Sequence, residues 1–338
     1  GSYTHLSMLN LFSKQWSGLE KVFWSNTEGV SESNILQSIP SNCPHLRSLY
    51  ILKLSYATSV EADADLTAFA EKCPQLEELS LTCRQLTDQS VIALAQHCSR
   101  LKKLKLYWCT LTYYFLIALS ERGLPLEELD IPRIPIPSAE IAAQCAHALS
   151  RIRKLETNLY EDHMNSLLSM LQYMTGLHQL YLDSSVDHLL APRLLLLLQG
   201  QCCAGLESLT IGSDSSITPQ LLYELVALCP QLHTLQISKP TCTSDAVLVE
   251  LARSCPHLQK VTLDSSEVTE EGVLALAAHC RQLREIHIPY TTVTHKTVRQ
   301  LAQHCRHPTE LRVTVREGEA MAQQTCKYNS TEIRALRL

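Results

Sequence analysis

Two hydrophobic patterns follow one another between Cys73 and Cys98, in the segment CPQLEELSLTCRQLTDQSVIALAQHC. The first is Leu-x-x-Leu-x-Leu, formed by Leu76, Leu79 and Leu81, and it predicts a short strand because alternate strand residues face opposite sides. The second has helical spacing, and its apolar positions are Val91, Leu94, Ala95 and Cys98. These positions share one helical face. Thr87 or Asp88 suits the helix N-cap, where a side-chain oxygen can accept an otherwise unpaired backbone N–H.

The leucine pattern recurs along the chain at a nearly constant period of 25–30 residues. The copies begin at Leu46, Leu76, Leu101, Leu126, Ile152, Leu177, Leu206, Leu232, Leu258, Leu283 and Pro308, with a degenerate earlier copy at Leu19. One unit cannot bury its own apolar face, so neighbouring units must stack. We therefore predict an α/β solenoid, a leucine-rich-repeat horseshoe with a parallel concave sheet, convex helices and about 11–12 repeats. The predicted divisions are an N-terminal capping segment (1–40), the repeats (41–316), and a capping helix with a tail (317–338).

Composition and charge exclude several functional classes. The 338 residues carry a net charge of −5, which gives no general attraction to nucleic acid or to an anionic membrane. No window of about 18 uninterrupted apolar residues is present, so we expect no membrane span. The chain has no glycine-rich phosphate loop, no nucleophile elbow and no His-Glu-x-x-His motif, and we expect neither an enzyme nor a cofactor. We predict a monomer.

Eight cysteines stand at equivalent places, three residues before a repeat leucine: Cys43, Cys73, Cys98, Cys203, Cys229, Cys255, Cys280 and Cys305. One such position per unit is too far from the next for a disulfide, which needs Cα atoms within roughly 7 Å. Each is expected to be a small buried residue at a helix C-terminus. A structural zinc site needs about four converging ligands, and one His-Cys pair per repeat does not supply them. We predict no metal and a reducing compartment, either cytoplasm or nucleus.

The repeat unit resembles the cysteine-containing class of leucine-rich repeat. The best copies are CPQLEELSLTCRQLTDQSVIALAQHC, CSRLKKLKLYWCTLT (Cys98–Thr112) and CPHLQKVTLDSSEVTEEGVLALAAHC (Cys255–Cys280). This class resembles the substrate-binding half of F-box/leucine-rich-repeat proteins and their relative, the antagonist of the mitotic exit network. Units between Leu126 and Ser185 depart from the pattern because they lack the leading cysteine. No F-box is recognisable in Gly1–Cys43, so we expect it either upstream or missing from this family member.

The resemblance implies a protein-interaction module that recognises substrates for a Skp–cullin–F-box (SCF) ubiquitin ligase. Contact with the Skp-family adaptor and the cullin would go through the F-box, and the substrate would bind the concave face. The alternative is a stand-alone regulator that binds and inhibits a signalling protein such as a GTPase. A catalytic repeat protein is a third hypothesis, disfavoured by the lack of a motif.

The strand positions that flank the repeat leucines face outward and are the candidate binding positions. One row across the sheet reads Glu78, Lys103, Glu128, Lys154 and Gln179. The next row reads Tyr50, Ser80, Lys105, Asp130, Glu156, Tyr181, Thr210, Gln236, Thr262, His287 and Arg312. The cations Lys103, Lys105, Arg133 and Lys154 could form a patch for an acidic peptide or an inositol phosphate. Because the charge signs alternate, we favour a self-neutralised ladder, in which each exposed pair contributes about 0–1 kcal/mol.

Aromatic side chains on or beside this face are candidate interface anchors, since they bury a large area with few rotatable bonds. Trp108 either points outward or packs in the turn layer, and the sequence leaves both open. Tyr113, Tyr114 and Phe115 are predicted to be core. Irregular segments at Asp130–Ser138 and Asp183–Cys203 add a proline-rich loop and a leucine-rich helix. The predicted partner-binding residues are Tyr50, Lys103, Lys105, Tyr107, Trp108, Asp130, Arg133, Tyr181, Asp183, His287 and Tyr290.

Overall fold

The protein is described by a computed structural model. The described residues are 18–24, 33–131, 138–159, 164–184, 203–212, 217–238, 243–263, 268–287, 295–304, 312–316 and 323–327. The chain divides into two compact units: the first comprises Gly1–Thr157 with Asn165–Gly176, and the second comprises Asn158–Met164 with Leu177–Leu338. Within the described ranges, no helix is both long enough and apolar enough to cross a membrane.

The first unit alternates short strands with helices. Its strands are β1 (Lys21–Trp24), β2 (Ser48–Leu54), β3 (Glu78–Cys83), β4 (Lys103–Tyr107), β5 (Glu128–Asp130) and β6 (Lys154–Leu159, whose last residues lie in the second unit). Its helices are α1 (Ser33–Asn42), α2 (Ser59–Lys72), α3 (Asp88–His97), α4 (Tyr114–Arg122), α5 (Ala139–Gln144), α6 (Ala146–Leu149) and α7 (Met164–Leu171). Each strand from β1 to β5 pairs in parallel with the next one along the chain.

The second unit repeats this arrangement. Its strands are β7 (Gln179–Ser184), β8 (Ser208–Ile211), β9 (Thr234–Ile237), β10 (Lys260–Leu263), β11 (Glu285–His287), β12 (Arg312–Arg316) and β13 (Gln323–Lys327). Its described helices are α8 (Pro219–Leu228), α9 (Asp245–Ser254), α10 (Glu270–His279) and α11 (His295–His304). Strands β7 to β12 pair in parallel, each with its neighbour in sequence.

The repeat leucines lie opposite one another across the strands and form the core. Leu79 is opposite both Leu49 and Leu104, and Leu104 is opposite Leu129. All four are at most 1% exposed. Stacked parallel strands joined through helices, with the leucine of every unit in register, define a leucine-rich-repeat solenoid. The predicted fold class is therefore confirmed.

Both ends of the repeat array differ from the prediction. Strand β1 lies inside the segment predicted as a cap, and its Val22 is opposite Leu49, as the degenerate copy at Leu19 requires. The predicted C-terminal helix is wrong over 323–327, where β13 pairs antiparallel with β12. The second predicted row of outward-facing strand residues placed Arg312 next to His287. In the structure Arg312 lies opposite Glu285 instead, so the last member of that row was wrong. Strand β12 pairs in parallel with β11 on one side and antiparallel with β13 on the other, a combination that the repeat does not contain.

Five of the eight predicted spine cysteines are helix C-caps, as predicted, and Cys305 lies outside the described residues. Cys73 and Cys98 are C-cap residues of α2 and α3, and the equivalent residues in the second unit are Cys229, Cys255 and Cys280. The thiol of Cys98 lies 3.6 Å from the carbonyl oxygen of Cys73 in the preceding unit. The carbonyl oxygen of Cys73 also accepts the backbone N–H of Leu76, so the thiol of the next unit adds a second, weak contact at this helix end. No disulfide joins the ten cysteines whose side chains are described, which are Cys43, Cys73, Cys83, Cys98, Cys109, Cys145, Cys203, Cys229, Cys255 and Cys280.

One unit without the leading cysteine uses glycine instead. Gly123 is the C-cap of α4 and has a φ of +61°, a left-handed conformation that favours glycine. The absence of cysteine before Leu126 thus reflects a different way to end the helix.

A second set of contacts links the helix N-termini of successive units. Thr87 and Thr269 are N-caps, as predicted, and each side chain accepts from a backbone N–H in the first turn. The carboxylate of Asp63 accepts from the backbone N–H of Thr87 at 3.0 Å, and Asp245 does the same for Thr269 at 2.8 Å. Each threonine cap is thus oriented by an aspartate of the preceding unit.

Candidate protein-interaction site

The open face of the first unit consists of the strand side chains that alternate with the buried leucines in β1–β6. Strand β3 shows this alternation plainly, because its residues are in turn half-buried and buried from Glu78 to Cys83. The half-buried residues point away from the helices, and the buried ones pack against them. This face carries most of the residues predicted to bind a partner.

Charged residues on the open face form the predicted ladder. Lys103 lies between two carboxylates, with its Nζ 2.8 Å from Glu128 Oε1 and 3.5 Å from Glu78 Oε1. The hydrogen bond from Lys103 to Glu128, reinforced by the negative charges around it, raises the pKa of the lysine. Lys103 therefore bridges two acids of the neighbouring strands, and the ladder spans three strands.

A second group surrounds Asp130, whose side chain is 5% exposed. The Tyr107 hydroxyl donates to its carboxylate, and Lys105 Nζ lies 3.2 Å away. Burial and the hydrogen bond to Asp130 raise the pKa of Tyr107. Burial, together with the nearby charge of Asp130, also raises the pKa of Glu156 on the neighbouring strand. The carboxylate of Asp130, which was predicted to bind a partner, is thus bonded to side chains of the protein itself.

Tyr50 lies on the same open face and is held there by a hydrogen bond and a ring contact. Its hydroxyl donates to Glu78, as does Ser48, and its ring stacks on Phe23 with centroids 6.2 Å apart. Burial alone would raise the pKa of Glu78. The two hydrogen bonds and the charges of the nearby lysines outweigh burial and hold this pKa below its usual range. Tyr50 therefore presents a ring edge on a surface whose charges are internally paired.

Trp108 differs from all these residues. It follows directly after β4, is 67% exposed, and has a φ of +65°. Within the described part of the chain it is the one residue other than glycine with positive φ. Of the two orientations that the sequence left open, the structure has the outward one. The guanidinium carbon of Arg84 lies 5.1 Å from the Trp108 ring centroid, which is cation–π range.

A depression of about 250 Å³ opens beside this pair. We call it the Trp108 pocket, and its lining residues are Leu52, Lys53, Leu54, Ser55, Thr82, Cys83, Arg84, Gln85 and Trp108. Leu52 is 56% exposed, which is unusual for a strand leucine in this protein. The pocket therefore combines exposed apolar surface with two cations at the strand ends of three successive repeats.

Two local departures from the regular repeat explain why Leu52 and Trp108 point outward. Strand β3 reaches the buried Cys83 two residues after Leu81, whereas β2 reaches the equivalent Leu54 three residues after Ile51. The extra residue forms a β-bulge, and both Leu52 and Lys53 become exposed. At the end of β4, Trp108 takes the left-handed conformation immediately before Cys109.

Cys109 then returns the chain to the interior beside Cys83. Burial, and next the proximity of Cys83, raise the pKa of the Cys109 thiol to about 12. The side chain of Trp108 is therefore exposed, whereas those of its neighbours Tyr107 and Cys109 are half-buried.

Sequence reasoning missed Leu52, Lys53 and Arg84. A signal for the bulge was available, since the buried pair Ile51 and Leu54 is separated by two residues instead of one. Tyr114 was also mispredicted: Phe115 is buried, but Tyr114 is 55% exposed. The helix turns these neighbouring side chains about 100° apart, so both cannot face the core.

The other predicted residues belong to the second unit or fall outside the described ranges. Tyr181 lies opposite Thr210 on the open face of the second unit, and His287 lies opposite Thr262. Asp183 is half-buried at the end of β7. Arg133 and Tyr290 lie outside the described residues, as does most of the two irregular segments. The described rows of this second open face are mostly uncharged.

Comparisons with known proteins return distant structural likenesses. No protein-family model matches the chain, and no curated protein matches it. It is similar to the yeast Rad7 and Elc1 complex, with 18% identity over 87% of each chain and a TM-score of 0.49. An internalin (inlF) from Listeria monocytogenes shows 14% identity over 88% of this chain and 79% of that one, with a TM-score of 0.43.

The TLR13–ssRNA13 complex shows 14% identity over 84% of this chain and 41% of that one, with a TM-score of 0.48. The class assigned to this chain rests on its own strand order, register and buried leucines. The chain is a leucine-rich-repeat solenoid, and such proteins bind other macromolecules on the extended surface that their stacked units create.

Proposed function

We propose that this chain is a protein-interaction module that holds a protein partner against the open face and the Trp108 pocket of its first unit. The observation that carries the proposal is the exposed, left-handed Trp108 with Arg84 beside its ring. A non-glycine residue held at positive φ costs about 1–3 kcal/mol, and such strain concentrates at functional sites. The strain here has no packing benefit, because the indole is mostly outside the core.

The composition of the site also supports protein binding. Trp, Tyr and Arg dominate the residues that contribute most to protein interfaces, since they bury much area at a small entropy cost. The ladder on the open face places paired charges next to the apolar pocket. Such an arrangement resembles an interface with an anchor residue and a polar rim.

The finer proposal is that the bound protein is a substrate of an SCF-type ubiquitin ligase. Its support is the resemblance of the repeat unit to F-box/leucine-rich-repeat proteins. The mechanism would be positional: the module holds the substrate so that its lysines reach a high local concentration near a ubiquitin-charged enzyme. The Skp-family adaptor and the cullin would be reached through an F-box.

The test is affinity purification of the full-length gene product from its own cells, with crosslinking and mass spectrometry. We expect Lys53 and Lys103 to crosslink to one partner, with the Skp-family adaptor and a cullin present, and the partner's half-life to lengthen when the gene is deleted. A partner captured without the adaptor, and inhibited rather than degraded, would instead identify a stand-alone regulator. No crosslink from the first unit to any protein would contradict the proposal.

A further inference from the structure

The Trp108 pocket differs electrostatically from the open face beside it. Lys103 and Lys105 each lie within 4.0 Å of two carboxylates. Among the described residues, Lys53 and Arg84 have no carboxylate within that distance, and they are the charged members of the pocket lining. The pocket therefore combines two cations that have no described carboxylate nearby with the exposed apolar side chains of Leu52 and Trp108.

From this contrast we infer that the Trp108 pocket binds an extended acidic segment of a partner protein, in which a bulky apolar side chain is flanked by Asp or Glu. The inference rests on the proposed function and names the chemistry of the partner. The apolar side chain contacts Leu52 and the indole of Trp108. The flanking carboxylates pair with Lys53 and with the guanidinium of Arg84, whose planar group suits bidentate contact with a carboxylate.

The size of the depression fits one anchoring side chain. Its volume of about 250 Å³ is below the ~300–1,000 Å³ that is typical of small-molecule pockets. It also opens at the strand ends, where an extended segment can cross from one repeat to the next. A side chain inserted from such a segment fits this space better than a complete small ligand does.

The remaining exposed apolar residues extend this surface. Leu52, Val60, Trp108 and Tyr114 are the large apolar side chains that are more than half exposed among the described residues. Leu52 lies near the end of β2 and Trp108 directly after β4, whereas Val60 and Tyr114 lie in the first turns of the helices that follow in the same two repeats. In stacked parallel repeats these connections share one edge of the sheet. The segment therefore has further apolar positions along which to extend.

A protein segment suits the site better than a nucleic acid does. Backbone binding to nucleic acid depends on neutralising several phosphates, and affinity rises with the number of Lys and Arg contacts. The pocket supplies only two cations among its described lining residues, and the neighbouring lysines are already paired with carboxylates.

The experiment selects a random-peptide display library on the full chain, with no counter-selection against any variant. We expect the enriched peptides to carry Leu, Phe or Trp next to Asp or Glu. Synthetic copies of these peptides should lose at least about tenfold in affinity for Trp108→Gly, measured by fluorescence anisotropy. The double variant Lys53→Glu/Arg84→Glu should select basic peptides in place of acidic ones, whereas Arg281→Glu, an exposed arginine of the second unit, should change nothing.

Three results would overturn the inference. They are enrichment without acidic residues, affinities unchanged in Trp108→Gly, and tight binding of a labelled single-stranded RNA oligomer that this variant abolishes. Circular dichroism melting of each variant shows whether a loss of binding comes from unfolding.

Capture of the native partner distinguishes the failure of this inference from the failure of the proposed function. If its capture is lost in Trp108→Gly while no acidic peptide binds, the inference fails and the proposed function stands. If acidic peptides bind but the chain captures no partner, the proposed function fails.

Discussion

Asp245 and Thr269 lie in successive repeats, and the carboxylate of Asp245 accepts a hydrogen bond from the Thr269 backbone N–H at 2.8 Å and another from its hydroxyl. Gly272 makes room for this contact, since a Cβ built at that position would lie 2.5 Å from Asp245 Oδ1. Asp88 and Thr112 repeat the contact in the first unit, with 2.9 Å between the carboxylate and the Thr112 nitrogen. The stacking of repeats thus includes polar contacts at the helix N-termini as well as the leucine core.

Replacing Asp245 with Ala should destabilise the protein by about 1–2 kcal/mol, because the variant loses a charged hydrogen-bond acceptor that orients a helix cap. Urea unfolding followed by circular dichroism measures the change. Glu271→Ala is the matched control, since Glu271 is an exposed acid in the first turn of α10 without such an inter-repeat bond. A loss in Asp245→Ala no larger than that in the control would contradict the assigned role.

Trp108→Gly should leave the free energy of unfolding unchanged or raise it by up to about 1 kcal/mol. Glycine removes the cost of positive φ, while the lost contact with Arg84 costs about 0.5–1 kcal/mol. Trp108→Val should be less stable than Trp108→Gly, because a β-branched residue fits the left-handed region poorly. Thermal melting separates these cases.

The neighbouring variant Tyr107→Gly provides the contrast. It should cost roughly 2–3 kcal/mol, since it weakens a strand and removes a donor from the buried Asp130. A Trp108→Gly variant as unstable as Tyr107→Gly would show that the indole is a structural residue.

Glu78→Gln and Glu156→Gln should change stability in opposite directions at neutral pH. Folding lowers the pKa of Glu78, so its stabilising contribution is present above the usual Glu pKa of about 4.3 and is lost as the pH falls through the lower folded value. Glu78→Gln should therefore cost about 1 kcal/mol at pH 7 and little in strong acid.

Folding raises the pKa of Glu156, chiefly through burial, so its charged form opposes folding at neutral pH. Glu156→Gln should consequently stabilise the protein by about 0.5 kcal/mol at pH 7. This gain should shrink as the pH falls through the raised pKa and the native carboxyl becomes protonated. Urea titrations at several pH values test both variants, and equal signs at pH 7 would contradict the assignment.

The spine thiols should resist alkylation in the folded protein. Burial raises the pKa of Cys98 to about 12, so very little thiolate exists at pH 8 and the sulfur is inaccessible. Cys255 shares this property, with burial as the main cause of a pKa of about 12. Mass spectrometry after iodoacetamide treatment should find both unlabelled in buffer and labelled in concentrated urea. Rapid labelling in buffer would show that the spine is open to solvent.

The sequence by itself determined the repeat class, the parallel register of β2–β11 within each unit, and the positions of the capping residues. It also predicted the charge ladder from Glu78 to Glu128. These features are readable because units of 25–30 residues stack in register, so a position in one unit contacts the same position in the next.

Only the tertiary structure decided the Trp108 pocket and the antiparallel pairing of β12 with β13. Leu52, Arg84 and Trp108 come from three different repeats, and they meet because one strand bulges and another ends in a left-handed residue. Neither deviation follows from local periodicity, since the hydrophobic pattern allowed Trp108 to point either way. The antiparallel pairing of β12 with β13 likewise brings together strands that the repeat does not relate. The leucine spine is thus set by pattern alone, whereas the binding surface depends on where the packed chain departs from that pattern.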